Sequence, residues 1–292
     1  MKDLIKKLRK FQIQIMKAIT AQMQGDFHSI FKGSGLEFDE VRSYQYGDDV
    51  RSIDWKVSAK GHGTFVKTYK EEKEQSVLFL LDVSASQEIG LMGSQKIDIA
   101  KEICGILSLS AIEEGSQVGL ICFSDQKEIY LKPGKGEKHA YKIISLIKDL
   151  KPSSKKTDIN KAILYTLGIL KKKSIVVMLS DFIDDNYEHN FQGLAKKHDL
   201  VIIHISDVRE TSLPGLGIVP LYDKESNKTI WVNTSSKEFK NKMEKNFSEK
   251  FSYLEKLSRK NQADYLHIDS KENYIPKLIK LFQVRNKSKK SA

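Results

Sequence analysis

Several stretches of the chain have the hydrophobic pattern of a buried strand. The clearest is Val77–Leu81, an unbroken apolar run that ends abruptly at Asp82. Continuous apolar runs of this length are typical of parallel strands that helices cover on both faces. Further stretches that we predict as strands are SQVGLICFS at 116–124, SIVVMLSD at 174–181, DLVIIHIS at 199–206 and ADYLHID at 263–269.

Segments with helical periodicity separate these strands. They lie at about 94–113, at 133–150 (a glycine loop and a short helix), at 158–171 and at 187–197. Strands that alternate with helices need crossover connections, which are right-handed and produce a mostly parallel sheet. The pattern therefore predicts an α/β fold, a doubly wound and mostly parallel sheet flanked by helices, over residues 76–285.

Two further elements are predicted near the C-terminal end of this domain. Residues 217–233 read as a hairpin with its turn near Glu225. Ser235 and Glu238 have the spacing of a capping box, which marks the start of a helix. We expect a last helix to end near Phe282, followed by a basic tail.

The N-terminal residues 2–23 have the pattern of an amphipathic helix. Their apolar residues recur at steps of three and four, at Leu4, Leu8, Phe11, Ile15 and Ile19. Such a stripe buries one face of a helix. The main interpretation is a helix docked on its own domain, and a free partner-binding helix is the alternative.

Residues 25–75 are rich in glycine, aromatic residues and opposed charges, with little helical period. Alternation over Thr64–Tyr69 predicts a strand. The charges at Arg42, Asp48, Asp49, Arg51 and Asp54 are interpreted as an ion-pair network with Trp55 beside it, and a binding surface is the alternative. The segment is too short and too charged for a core of its own. We therefore expect this segment to pack on the α/β domain. The chain should have three parts: an N-terminal part of residues 1–75, the α/β domain of residues 76–285 and a basic tail of residues 286–292.

Composition narrows the class of protein. The 292 residues carry a formal net charge of +11, but this charge comes mostly from lysines scattered along the chain. Arginine clusters with interleaved aromatic residues are missing, which argues against nucleic-acid binding.

No apolar run in the sequence approaches the ~20 residues of a membrane span. Cys104 and Cys122 both lie in apolar runs and are read as reduced core thiols, so a cytoplasmic location is expected.

Oxygen-bearing side chains follow the ends of two predicted strands and precede a helix. Asp82, Ser84 and Ser86 follow the first strand, Thr157 precedes the helix at 158, and Asp181 ends the strand at 174–181. The carboxyl ends of parallel strands meet at one edge of a sheet, where ligands bind. Hydroxyl and carboxylate oxygens suit a hard cation such as Mg²⁺. Taken singly, Thr157 is interpreted as a helix cap and Asp181 as a turn residue.

These motifs carry a family resemblance. DVSAS, KKTD and MLSD resemble, in residue type, order and spacing, the metal-ion-dependent adhesion site of von Willebrand factor A-type domains. Residues 33–74, GSGLEFDEVRSYQYGDDVRSIDWKVSAKGHGTFVKTYKEEKE, resemble a signature of the bacterial family called domain of unknown function 58. The resemblance covers about 30–210. It implies a von Willebrand factor A-like fold and a Mg²⁺ or Mn²⁺ ion bound, directly or through water, by Asp82, Ser84, Ser86, Thr157 and Asp181.

The resemblance also implies a function. Sites of this type bind a partner protein whose Asp or Glu completes the metal shell, and the family resembles adaptors that act beside MoxR-type AAA+ ATPases in assembling or remodelling other proteins. Many members carry two membrane-spanning helices before this region, where this chain has an amphipathic helix, which favours a cytosolic variant.

We therefore expect a non-catalytic, metal-dependent interaction module. The alternative is a metal-dependent hydrolase, with Asp125, Asp184 or Asp185 offered as the base. The sequence contains neither a GxSxG elbow nor a GxxxxGK[ST] loop.

Overall fold

The computed structural model describes residues 2–21, 36–61, 63–71, 75–91, 93–225 and 228–290. The chain divides into two compact units, one formed by 1–31 together with 76–292 and the other by 32–75. The helices of the described residues are α1 (Lys2–Ala21), α2 (Trp55–Ser58), α3 (Lys96–Glu113), α4 (Glu137–Asp149), α5 (Ile159–Ile169), α6 (Glu188–Lys197), α7 (Lys237–Lys260) and α8 (Ile275–Lys290). The strands are β1 (Leu36–Ser43), β2 (Phe65–Glu71), β3 (Ser76–Asp82), β4 (Gly90–Leu91), β5 (Ser94–Gln95), β6 (Gln117–Phe123), β7 (Lys127–Gly134), β8 (Ile175–Ser180), β9 (Asp199–Ser206), β10 (Ile218–Asp223), β11 (Lys228–Asn233) and β12 (Asp264–Asp269).

A six-stranded sheet forms the centre of the larger unit. Its strand order is β12-β9-β8-β3-β6-β7. Neighbouring strands are parallel throughout, except that β7 runs antiparallel to β6 at one edge. The predicted doubly wound, mostly parallel α/β fold is confirmed.

Helices cover both faces of this sheet, and alternate residues of β3 show it. Val77, Phe79 and Leu81 pack in a cluster with residues of α1, α3, α4 and α8. Leu78 and Leu80 point the other way, into a cluster with residues of α5, α6 and α7. The five side chains are completely buried, which explains why the run Val77–Leu81 contains no polar residue.

Helix α1 belongs to the larger unit, whereas the predicted boundary grouped it with the residues up to 75. Leu8 is only 1% exposed and joins the main core. It sits over Gly105 of α3, where an added Cβ would lie 3.0 Å from Leu8 Cδ1. The missing side chain at Gly105 therefore lets the two helices approach closely, as expected for a helix docked on its own domain.

The smaller unit is built on the antiparallel pair β1–β2. Its charges form separate pairs near the surface. Both guanidinium Nη atoms of Arg42 donate to Asp48, each at 2.8 Å. Asp54 caps α2 through the N–H groups of Lys56 and Val57 and pairs with Lys67 at 3.2 Å. The expectation that Trp55 packs beside these charges is wrong, because Trp55 is 70% exposed.

Three local predictions differ from the structure. Strand β7 was not predicted, because this edge strand carries Lys127, Glu128 and Pro133, and proline is tolerated only at a sheet edge. The cap of α7 is Ser236, whose hydroxyl accepts from the N–H of Phe239, and not Ser235. Helix α8 continues to Lys290, through most of the predicted tail.

Candidate metal centre

The first motif leaves the end of β3 as a tight turn. Asp82 is completely buried, and its Oδ1 accepts the N–H of Ser84 at 2.9 Å. The Oγ atoms of Ser84 and Ser86 are 3.0 Å apart. A short 3₁₀ turn over Ala85–Glu88 follows. The local hydrogen bonds thus bring one carboxylate and two hydroxyls together within five residues.

Strand β8 brings the third motif to the same edge. Leu81 pairs with Leu179, so the residues that follow them lie side by side. The Ser180 hydroxyl donates to Asp82 Oδ2 at 2.6 Å and accepts from the N–H of Phe182 at 3.0 Å. Ser180 was missed from the sequence, because serine before Asp181 looks like the ordinary end of a strand.

Asp181 contacts the first motif and is almost fully buried. The side chain of Ser86 lies near its carboxylate and helps to lower its pKa, and the N–H of Ile183 donates to Oδ1 at 3.2 Å. Hydrogen bonds therefore join Asp82, Ser84 and Ser86 into one group, and the carboxylate of Asp181 lies close enough to act on Asp82.

A buried lysine neutralises part of this group. Lys96, the first residue of α3, has no exposed surface, and its Nζ lies 2.6 Å from Asp181 Oδ2. The same ammonium pairs with Glu210, whose other carboxylate oxygen accepts the N–H of Asp207 at 2.9 Å. Neither Lys96 nor Glu210 was predicted. The only sequence signal was a lysine at the start of a largely apolar helix.

Burial and charge pull the pKa values of these groups apart. Burial raises the pKa of Asp82 to about 7, and the charge of Asp181 adds to the rise. Burial acts the same way on Asp181, but the ammonium of Lys96 outweighs it and holds the pKa of Asp181 below its ordinary value. For Lys96 burial acts to lower the pKa, but Asp181 and Glu210 outweigh it, so the pKa is raised. The negative charge of Asp82 is therefore compensated less by neighbouring protein groups than the charge of Asp181 is.

Thr157 lies in the loop that supports the first motif. The N–H of Ala85 donates to the carbonyl of Lys155 at 2.9 Å, which ties this loop to the turn after β3. The Thr157 hydroxyl donates to Glu225 Oε1 at 2.9 Å. The cap of α5 is Asp158, which accepts the N–H of Lys161, so the capping alternative for Thr157 is wrong.

Asp184, offered above as a base for hydrolysis, has a structural contact. Its Oδ2 accepts the N–H of Ile159 at 2.7 Å, at the start of α5. This bond links the segment after β8 to the helix after Thr157 and so steadies the edge of the sheet that carries the motifs.

The donor set fits a hard divalent cation. Hydroxyl oxygens and a carboxylate are ligands that Mg²⁺ and Mn²⁺ accept, with water in the remaining positions. Gln87 Nε2 lies 3.4 Å from Asp82 Oδ2, and Gln87 Oε1 is buried without a hydrogen-bond partner among the described residues. Such an oxygen can accept from an ion's water shell. Within the described ranges, no group of three or more His, Cys, Asp or Glu could hold a metal, so hydroxyls would have to supply much of the shell.

The fold is von Willebrand factor A-like, a doubly wound sheet with hydroxyl and carboxylate side chains at the carboxyl ends of its strands. The family model "Protein of unknown function DUF58" matches residues 40–252. The chain belongs to this family, as the sequence motifs predicted. That the site binds a metal stays a prediction.

The chain is similar to several proteins of known sequence or structure. Uncharacterized protein Rv1480 of Mycobacterium tuberculosis and uncharacterized protein Mb1516 of Mycobacterium bovis are each 26% identical to this chain over 222 residues, which is 75% of this chain and 70% of theirs. The solved structure of conserved hypothetical protein BatB from Bacteroides thetaiotaomicron is 14% identical, covers 74% of this chain and 99% of its own, and has a TM-score of 0.46. The von Willebrand factor A domain of SpRpn10 is 12% identical, covers 70% and 93%, and has a TM-score of 0.38.

None of the helices within the described residues offers a stretch long and apolar enough to cross a membrane.

Removing the buried ammonium should destabilise the fold strongly. Lys96→Met leaves Asp181 and Glu210 buried without their cation, and breaking a buried pair costs about 3–5 kcal/mol. Urea unfolding at pH 7 measures this loss. Lys161→Met is the matched control, because its pair with Asp158 lies at the surface. If Lys96→Met does not fold, the double variant Lys96→Met/Asp181→Asn should regain stability. A loss no larger than that of the control would contradict the interpretation.

The raised pKa of Asp82 predicts a pH-dependent penalty in the absence of metal. Between its ordinary pKa of 3.8 and the folded value of about 7, the folded state holds a proton that the unfolded state releases. Stability therefore falls as pH rises through this window. Asp82→Asn removes the titration, so its stability relative to the natural protein should increase from pH 4 to pH 7.5, by up to about 4 kcal/mol. Urea unfolding in EDTA at several pH values measures it, and a constant difference would refute the assignment.

Proposed function

We propose that this protein is a non-catalytic module that binds a partner protein through a divalent cation, Mg²⁺ or Mn²⁺. The observation that carries the proposal is the pair of hydroxyls of Ser84 and Ser86, 3.0 Å apart, between the carboxylates of Asp82 and Asp181. Ser84, Ser86 and Thr157 would offer hydroxyl oxygens to the ion. Asp82 and Asp181 would hold its water shell or coordinate it.

The charges at the site support the binding of a further carboxylate. The ammonium of Lys96 pairs with Asp181 and Glu210, and Asp82 lies near Asp181. Three carboxylates and one ammonium leave two negative charges, which one divalent ion balances. The partner's acidic side chain would then approach a group of charges with no net charge, whose ion can still accept an oxygen ligand. Without Lys96 the loaded site would be negative and would repel that side chain.

The ion would attract an anionic oxygen of the partner, and the surrounding side chains would determine where that oxygen binds. Ser86 and Thr157 are half-buried, whereas Asp82 and Ser84 are inaccessible. A partner would therefore approach from the side of Ser86 and Thr157. An Asp or Glu side chain is the group that the proposed site recognises.

Family resemblance suggests the identity of the partner. The candidate is a MoxR-type AAA+ ATPase, with this protein as its adaptor in the assembly or remodelling of other proteins. The two cysteines are buried and unpaired, which supports the proposed cytoplasmic location, where thiols stay reduced.

Binding to the partner should require both the ion and the hydroxyls. Purified protein and the MoxR-type ATPase of the same genome are compared by calorimetry in Mg²⁺ and in EDTA. Ser84→Ala should lose binding because it removes one ion ligand, while the exposed Ser248→Ala should bind normally. Mg²⁺ alone at ten times its Kd should stabilise the natural protein by about 1.4 kcal/mol and leave Ser84→Ala nearly unchanged. Partner binding that persists undiminished in EDTA would reject the metal mechanism.

A further inference from the structure

Within the described residues, Lys224 and Glu225, just after the end of β10, both contact the candidate metal centre. Lys224 pairs with Glu88, the last residue of the turn that carries Ser84 and Ser86. Glu225, the next residue, accepts the hydroxyl of Thr157 at 2.9 Å. The hairpin thus bridges the first and second motifs, although it lies 68 residues from Thr157 in sequence.

Thr157 is one of the hydroxyls proposed to face the ion. A hydroxyl that coordinates a cation gives a lone pair to the ion and keeps its proton for a hydrogen bond. The carboxylate that accepts this proton lies beside the ion's coordination shell and is itself a hard oxygen ligand. Glu225 therefore has the chemistry, and the position next to Thr157, that the proposed function assigns to the partner's acidic side chain.

We propose that Glu225 is an internal ligand of the ion, which covers the site until the acidic side chain of a partner displaces it. The inference rests on the proposed function and specifies how that site is regulated. The loaded protein exists in two states, one with Glu225 at the ion and one with that position available. A partner's carboxylate binds the second state.

The displacement of Glu225 needs little free energy because of the way that the hairpin is held. Its strands β10 and β11 form a two-stranded sheet of their own, and isolated hairpins are only marginally stable. Lys224 and Glu88 are 48% and 47% exposed, so their pair contributes little. Glu225 nevertheless competes well with free ligands, because a tethered group acts at an effective concentration on the order of millimolar.

The test uses the full chain loaded with Mn²⁺ and acetate as the carboxylate probe. Mn²⁺ speeds the relaxation of acetate methyl protons when acetate enters its coordination shell. If Glu225 covers the position in about nine-tenths of the molecules, Glu225→Gln should strengthen apparent acetate binding about tenfold. The same variant should weaken Mn²⁺ binding, by about tenfold or more if the loss matches that of other metal-site contacts.

Matched variants separate this effect from a general change of charge. Glu238→Gln removes an exposed carboxylate from the first turn of α7 and should leave acetate and Mn²⁺ binding unchanged. Lys224→Met removes only the pair with Glu88 and should strengthen acetate binding by less than Glu225→Gln does.

The outcomes distinguish the two proposals. Normal Mn²⁺ binding with unchanged acetate affinity in Glu225→Gln would overturn the internal-ligand inference and leave the metal site in place. Failure of the natural protein to bind Mn²⁺, or binding that Asp82→Ala leaves intact, would overturn the proposed function and this inference with it.

Discussion

The burial of negative charge at one edge of the sheet is the constraint on which the rest of the site depends. Asp82 ends β3, Asp181 directly follows the neighbouring parallel strand β8, and both are almost completely inaccessible. Two ionised carboxylates in such surroundings repel each other and lose their hydration. Lys96 compensates Asp181, whereas the donors that Asp82 receives from the described residues, Ser84, Ser180 and Gln87, are all neutral. At neutral pH the buried carboxylate of Asp82 is therefore stabilised either by a bound proton or by a nearby cation. A divalent ion would be the alternative to the proton.

This constraint links folding to function. A fold that neutralised both carboxylates permanently would be more stable but would have no use for an ion. The protein leaves one carboxylate incompletely compensated, beside hydroxyls that suit Mg²⁺ or Mn²⁺. In the proposed scheme, Glu225, which accepts the Thr157 hydroxyl, would occupy the position that a partner's carboxylate would use. The affinity for the partner would then depend on how much more strongly the ion binds the partner's carboxylate than the carboxylate of Glu225.

Local sequence pattern predicted the fold and the residues that follow the strand ends. Unbroken apolar runs identified the parallel strands, and the topology then required Asp82 and Asp181 to share an edge. The pattern failed for β7, whose charged and proline-containing sequence reflects an edge position that only the assembled sheet defines. It also failed for Lys96, whose partners Asp181 and Glu210 lie 85 and 114 residues away. Glu225 was predicted only as a turn residue. Pairings at such separations depend on how helices and loops close over the sheet, which periodicity does not encode.

Anomalous diffraction from crystals grown with Mn²⁺ tests the central claim most directly. The account predicts one anomalous peak bounded by the hydroxyl oxygens of Ser84, Ser86 and Thr157, at about 2.0–2.3 Å from its direct ligands, with Lys96 still paired to Asp181. A map without a peak among these three hydroxyls at saturating Mn²⁺, or with the ion bound at another place on the chain, would contradict it.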